Sequence, residues 1–358
     1  MVRAARAAGF NTILVQVRGR GEAYYKSAID PRASELDGQP REFDPLATTL
    51  DLAHRAGLRV HAWVNVNLVS SAVTLPRSRE HVVSRHPEWL MVPRPLAAGL
   101  RTVGVRSPAY IGELARWTRS VSTQVEGLYL SPIPEASRQY SASIVAELAS
   151  RYDLDGVHLD YLRYPNDTFD YSARALGSFR AARAPLVTAA QRQQLDRAAL
   201  TDPTAWTTMF PEGWADFRRA RLTALMRQLQ ATVRAARPGA VISAAVAPSA
   251  DVATDQRLQQ WSVWAESGLI DVVCPMAYTP DLAEFTDLIT QARAAAGRTP
   301  VWAGIGAWQL PPTRTGQHVR AARKLGAAGV LLFSYDSLAA DAAPATLFDE
   351  LRHVFDAK

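Results

Sequence analysis

The sequence predicts an α/β chain folded as a (β/α)8 TIM barrel, and three observations predict it. A unit of Ala/Arg-rich amphipathic helix, helix-ending glycine and short apolar strand recurs along the chain. The strands put aliphatic residues on one face and polar or aromatic residues on the other. Two connections leaving strand C-termini are far longer than the usual 2–6 residues, which places functional loops on one rim.

In chain order, residues 1–8 read as the end of a helix closed by Gly9, and the run NTILVQVR gives a strand to Arg18. Asp44 can cap the next helix, with Pro45 at its first position; Leu46, Leu50 and Ala53 share a face and Gly57 ends it. The strand RVHAWVN then runs to Asn65, followed by a long connection over about 67–134. A helix around Ser143–Tyr152 leads to the strand ending at Asp160, and a second long connection covers about 166–213. His86, Pro87 and Trp89 in the first connection, and Trp206, Phe210 and Trp214 in the second, argue for ordered packing. Later strands end at Ala247, Tyr278, Ala307 and Asp336. These are seven strands where a closed barrel has eight, so a first strand is expected ahead of the helix at Met1. The whole of 1–358 reads as one domain.

The composition is that of a globular protein, 48% hydrophobic and 21% charged over 358 residues. Its net charge of +6 does not mark a nucleic-acid binder: Lys26, Lys324 and Lys358 are the only lysines, the arginines are scattered, and no like-charge block occurs. No apolar run approaches the roughly 20 residues of a transmembrane span. Cys274 is alone in an apolar run and is expected to be buried, with no disulfide or cysteine metal cluster. No charged leader with a hydrophobic segment is visible. The expected location is therefore extracytoplasmic if an export signal lies upstream of Met1, and cytoplasmic otherwise.

The stretch DGVHLDYLRYP, Asp155–Pro165, organises the chain. His158 and Asp160 alternate with Val157 and Leu159, so the polar pair looks into the barrel and Asp160 falls at the strand's C-terminal end, where barrel chemistry sits. Other strand ends share this character. Arg18 is followed by Glu22 and Tyr25; His61, Trp63 and Asn65 share a face; Arg163 and Tyr164 follow Asp160; Tyr278, Trp302, Trp308 and Tyr335 come later. Carboxylates and amides among Trp and Tyr suit a carbohydrate, whose apolar ring faces stack on aromatics and whose hydroxyls need fixed donors and acceptors. His61, His158 and Asp160 could in principle hold zinc or iron, but no tight ligand spacing supports a metal. No GxGxxG, Walker or GxSxG motif is present, and no cofactor is expected.

DGVHLDYLRYP resembles the signature of the glycoside hydrolase-like family 10 proteins, bacterial (β/α)8 barrels distantly similar to the chitinase family with a DGxDxDxE strand. Further similarity lies in NTILVQVRGRGEAYYKS, FDPLATTLDLAHRAGLRVHAWVN, SPIPEASRQY, IDVVCPMAY and GVLLFSYDS. The resemblance implies an exported protein acting on bacterial cell-wall glycan, including peptidoglycan strands stripped of their peptides. Against the chitinase pattern the middle Asp is His158 and the acid Glu is Leu162, so substrate-assisted chemistry does not carry over. Where family members have two consecutive acids, the second is Tyr161 here.

Glycoside hydrolysis ordinarily needs two carboxyl groups flanking the bond. Asp160 is the first catalytic candidate, expected to be kept ionised by Arg163 or Arg18. Glu22, in a Gly-flanked turn where the family also has an acid, is the preferred partner, with Asp251 and Asp336 behind it. Asp155 precedes its strand and is expected to be structural. A non-catalytic sugar-binding barrel and a hydrolase of another polysaccharide are the competing readings.

Overall fold

The computed structural model describes residues 1–339 and 344–356. Among these residues seven parallel strands stand in chain order: β1 Thr12–Arg18, β2 Arg59–Asn65, β3 Gly156–Asp160, β4 Val241–Val246, β5 Val272–Pro275, β6 Trp302–Gly306 and β7 Gly329–Phe333. β1 to β5 pair in sequence and β6 pairs with β7; the bridges Val273–Val301 and Met276–Gly304 join the two groups. Across the interior, Trp63 of β2 meets Phe333 of β7 at 5.7 Å between ring centres, and His61 meets Trp302 of β6 at 5.6 Å. The sheet therefore curls until its inward faces touch. β1 and β7 are not paired with each other among the described residues, and both keep part-exposed positions where the middle strands are buried.

Local sequence explains the repeating units. The helix Pro45–Arg55 is capped by Asp44, whose Oδ1 accepts from the Ala47 amide at 3.0 Å, and its buried residues are Leu46, Leu50 and Ala53. Their neighbours Val60, Ala62 and Val64 of β2 and Val157 and Leu159 of β3 form the outer core between strands and helices. The helix before β3 is longer than expected, Glu135–Arg151, and buries Ser137 and Ser141 together with Ala142, Ile144, Val145, Leu148 and Ala149. Asp155 is structural, as expected: its Oδ2 accepts from the Val60 amide at 2.8 Å and lies 2.9 Å from His54 Nε2. Cys274 is buried, 3% exposed.

The two long connections are ordered and built differently. In the first, 68–72 runs antiparallel to 126–130 through the Val69–Leu128 and Ala72–Glu126 backbone bonds, both 2.8 Å, and the Met91 amide bonds to the Tyr129 carbonyl at 2.8 Å. The second is helical: Ala173–Arg183, Ala189–Thr201 and Ala205–Met209 enclose Tyr171, Phe179, Trp206 and Trp214 in a core of their own. Among the described residues no helix is long and apolar enough to cross a membrane.

Candidate active site

The inward face of the curled sheet is filled from the bottom up. His61 lies deepest, 1% exposed, between Trp302 and Gly156, where a Cβ would sit 2.6 Å from the imidazole. Above it His158 Nδ1 stands 2.9 Å from Ser243 Oγ, with Trp63 edge-on at 6.4 Å. Burial lowers the pKa of His158 to about 3 and that of His61 to about 4, so both are neutral packing residues. Three expected ligand-binding positions (His61, His158 and Trp302) thus pack against other side chains on the sheet's inward face, below Asp160. Among the described residues no three His, Cys, Asp or Glu side chains are grouped to hold a metal ion.

Asp160 tops this column. It is 8% exposed; its Oδ1 accepts from the Tyr161 amide at 2.6 Å and its Oδ2 from Trp63 Nε1 at 3.1 Å, an indole that Asn65 Oδ1 shares at 2.9 Å. Burial raises the Asp160 carboxyl above its ordinary range, outweighing the Arg163 charge and the two hydrogen bonds. Arg163 acts in the expected direction, toward the ionised form, and burial opposes it. Arg18 is spent elsewhere: 1% exposed, it pairs with Asp30 at 2.7 Å and holds the carbonyls of Asn65 and Val66. It frames the end of β2 and does not face a ligand. Removing one partner of a buried ion pair leaves an uncompensated charge, so Arg18→Ala should cost about 3–5 kcal/mol in denaturant unfolding; a loss below about 1 kcal/mol would contradict this placement.

A second carboxylate whose charge reaches Asp160 is Glu126, which sequence reasoning does not single out. Its Oε1 takes Arg163 Nη2 at 2.8 Å and its Oε2 the Tyr129 hydroxyl at 2.6 Å, and its charge acts on Asp160. Burial raises the Glu126 pKa, but the Arg163 charge and the Tyr129 and Arg163 hydrogen bonds outweigh it and hold the group below the usual carboxylate range. The side chain is 38% exposed, so this acid is ionised and open to solvent while Asp160 is enclosed. Glu126 is aimed by the rim ladder. A Cβ on the next residue, Gly127, would sit 1.7 Å from the Ser70 carbonyl oxygen. Gly127→Ala should therefore displace the ladder, lowering stability by roughly 1–3 kcal/mol and activity with it; a thermal melt unchanged from wild type would refute this.

An aromatic wall completes the mouth. Tyr278 stacks on Phe333 at 5.7 Å, Trp308 meets both at 5.1 and 5.6 Å, and Trp63 touches Phe333 from below. Trp308 is 47% exposed and Tyr278 half-buried. Tyr161 takes the left-handed backbone conformation (φ 51°), unusual for a non-glycine residue and characteristic of functional turns. Its ring packs 4.7 Å from the Arg163 guanidinium and 6.1 Å from the Tyr129 ring.

Other expected site residues have their own local surroundings. Tyr25 is 3% exposed and bonds Glu147 at 3.0 Å; Tyr164 is fully buried over Arg218; Tyr335 begins a short helix and stacks on Phe348. These aromatics follow strand ends in sequence, and each is engaged with the partner named here. Glu22 is half-buried, 3.4 Å from Ser34 Oγ, with its pKa raised by burial and by Glu35 and Asp37. Asp251 and Asp336 are exposed in the first turns of helices.

A profile of the family described as Glycosyl hydrolase-like 10 matches residues 1–305. The chain belongs to this family. It is 24% identical over 296 residues to the glycosyl hydrolase YngK of Bacillus subtilis, covering 75% of this chain and 46% of that protein. It is 26% identical over 309 residues to the glycosyl hydrolase DigH of Escherichia coli, covering 76% and 55%. The chain thus spans about half the length of these curated relatives. The glycoside hydrolase domain of PgaB (BpsB) from Bordetella bronchiseptica superposes with a TM-score of 0.65 at 16% identity, covering 100% of this chain and 92% of that one. The alpha-L-fucosidase isoenzyme 2 of Paenibacillus thiaminolyticus gives 0.64 at 16%, covering 100% and 46%. At such identities the superpositions speak for the fold alone.

Proposed function

We propose that this family member is a glycosidase that cleaves bacterial cell-wall glycan, the peptidoglycan strand, with Asp160 and Glu126 as its two carboxyl groups. The observation that carries this reading is the contrast between them: one acid enclosed, its pKa raised by burial, the other exposed and held below the usual carboxylate range by Arg163 and Tyr129. Glycosidases need that division of labour. Asp160 donates its proton to the glycosidic oxygen as the C–O bond breaks. Glu126 acts on the anomeric carbon of the same sugar, either directly or by taking a proton from the attacking water. Trp308 and Tyr278 offer faces on which a sugar ring stacks.

The test is digestion of purified peptide-free peptidoglycan strands, beside chitin oligosaccharides and other neutral polysaccharides, read as new reducing ends and fragment masses. The wild type is expected to release fragments from the peptidoglycan strands. Binding without cleavage would leave a sugar-binding barrel, and cleavage of a different polymer alone would reassign the substrate.

A further inference from the structure

One indole N–H serves two acceptors at the end of β2. Trp63 Nε1 lies 2.9 Å from Asn65 Oδ1 and 3.1 Å from Asp160 Oδ2, so a single proton is divided between an amide and the carboxyl. All three groups are fixed in place. The Trp63 ring meets His158 and Phe333 edge-on. Asn65 stands opposite Asp160 in the parallel pairing of β2 with β3, and the Val66 amide bonds the Asp160 carbonyl at 2.8 Å. The Arg18 guanidinium, clamped by Asp30, holds the carbonyls of Asn65 and Val66. Asn65 is 4% exposed, and facing an N–H donor settles its amide: the oxygen points at the indole and Nδ2 away from it.

A hydrogen bond weakens as its proton is drawn off the line to the acceptor, so the nearer Asn65 oxygen withholds part of this N–H from Asp160. Against a proton-bearing carboxyl the amide oxygen competes well. Against a carboxylate the balance reverses, because a hydrogen bond to a charged acceptor is roughly twice as strong as a neutral one. Both acceptors are already in range, so the N–H changes partner with the backbone at rest. The other charges acting on Asp160 are those of Arg163 and Glu126. Tyr161, Tyr278 and Cys274 also sense its charge, but burial pushes all three upward and they stay neutral.

We propose that Asn65 is a positioning residue for the general acid: it holds the Trp63 N–H while Asp160 carries its proton, and yields it when that proton passes to the glycosidic oxygen. The carboxylate left behind then meets a donor that is preorganised where the charge develops. This rests on Asp160 being the proton donor of the glycosidase reading above, and deepens it.

The test is the titration of Asp160 in the whole protein, followed by carboxyl-carbon NMR without substrate, beside the pH profile of glycan cleavage. Asn65→Leu keeps the side chain's size and removes the competing acceptor. Asp160 should then titrate about one pH unit lower, a tenfold change in its proton affinity, and the alkaline limb of cleavage should move with it. Asn65→Val, suited to a strand, gives the same sign if Asn65→Leu does not fold. Trp63→Phe removes the donor and should move the titration upward, since that bond favours the ionised form. In the Trp63→Phe background Asn65→Leu should have no further effect, because no N–H is left to divide. A merely loosened site would admit water and shift both single variants the same way. An unmoved or raised titration in Asn65→Leu, or an equal shift with and without the indole, would overturn the proposal. Because Asp160 is titrated without substrate, the result is read whether or not cleavage is found. The expected shifts in a wild type and variants that cleave nothing would sink the glycosidase reading and leave the shared indole standing.

Discussion

Asp160→Asn should lower glycan cleavage by roughly a thousandfold or more, since the substitution removes the only proton that the proposed general acid can donate. Oligosaccharide affinity should change little, because the amide keeps the shape, although its single oxygen can accept from only one of the Trp63 indole and the Tyr161 amide. The same variant should be more stable than wild type at neutral and alkaline pH. A carboxyl whose pKa is raised by folding stabilises the protein below its unfolded value, and that contribution is lost as pH rises through the folded value. Asp160 is such a group, raised by burial. Melting curves should therefore show Asp160→Asn above wild type at about pH 8, with the gap closing toward about pH 4. A variant that cleaves normally, or melts lower at the alkaline end, would contradict the assignment.

Glu126→Gln should lower kcat/KM by about a hundred- to a thousandfold. It should also reshape the pH profile. With Glu126 lowered and Asp160 raised, the wild-type profile is a bell whose acid limb reports Glu126 and whose alkaline limb reports Asp160. Removing the Glu126 charge abolishes the acid limb. It also removes a repulsion that helps keep Asp160 protonated, so the alkaline limb should move to lower pH. Kinetics across about pH 3–9 check both signs; an unchanged profile would place the second acid elsewhere.

Much of the frame is legible in the sequence because local chemistry sets it. Asp44–Pro45 and the Leu46, Leu50, Ala53 stripe define a helix through capping and periodicity alone, and alternation along 157–160 places Asp160 at a strand end facing inward. Alternation says which face a side chain takes but not its depth, so it assigns His61, His158 and Trp302 to the site when they pack against other side chains on the sheet's inward face. Nor does it report competition. Arg18 and Arg163 carry positive charge in sequence, but only the fold reveals that Asp30 and Glu126 claim them.

Glu126 is the largest gap. It lies inside a rim connection, 34 residues before Asp160, and reaches the mouth through a ladder between 68–72 and 126–130 that no periodicity announces. Its signal is faint: a Glu-Gly pair ahead of the apolar run Leu128-Tyr129-Leu130. Phe333 escapes for the opposite reason, since an aliphatic run gives no sign that its last ring turns inward to stack on Tyr278.

The most direct measurement is a crystal structure of Asp160→Asn with a peptidoglycan-derived tetrasaccharide bound. The expected result is a sugar ring on the Trp308–Tyr278 wall, with the glycosidic oxygen within hydrogen-bonding distance of the residue-160 side chain and the anomeric carbon facing Glu126. A tetrasaccharide seated away from both acids, for instance in the 220 Å³ cavity lined by Ala28, Val82, His86 and Tyr140, would contradict it.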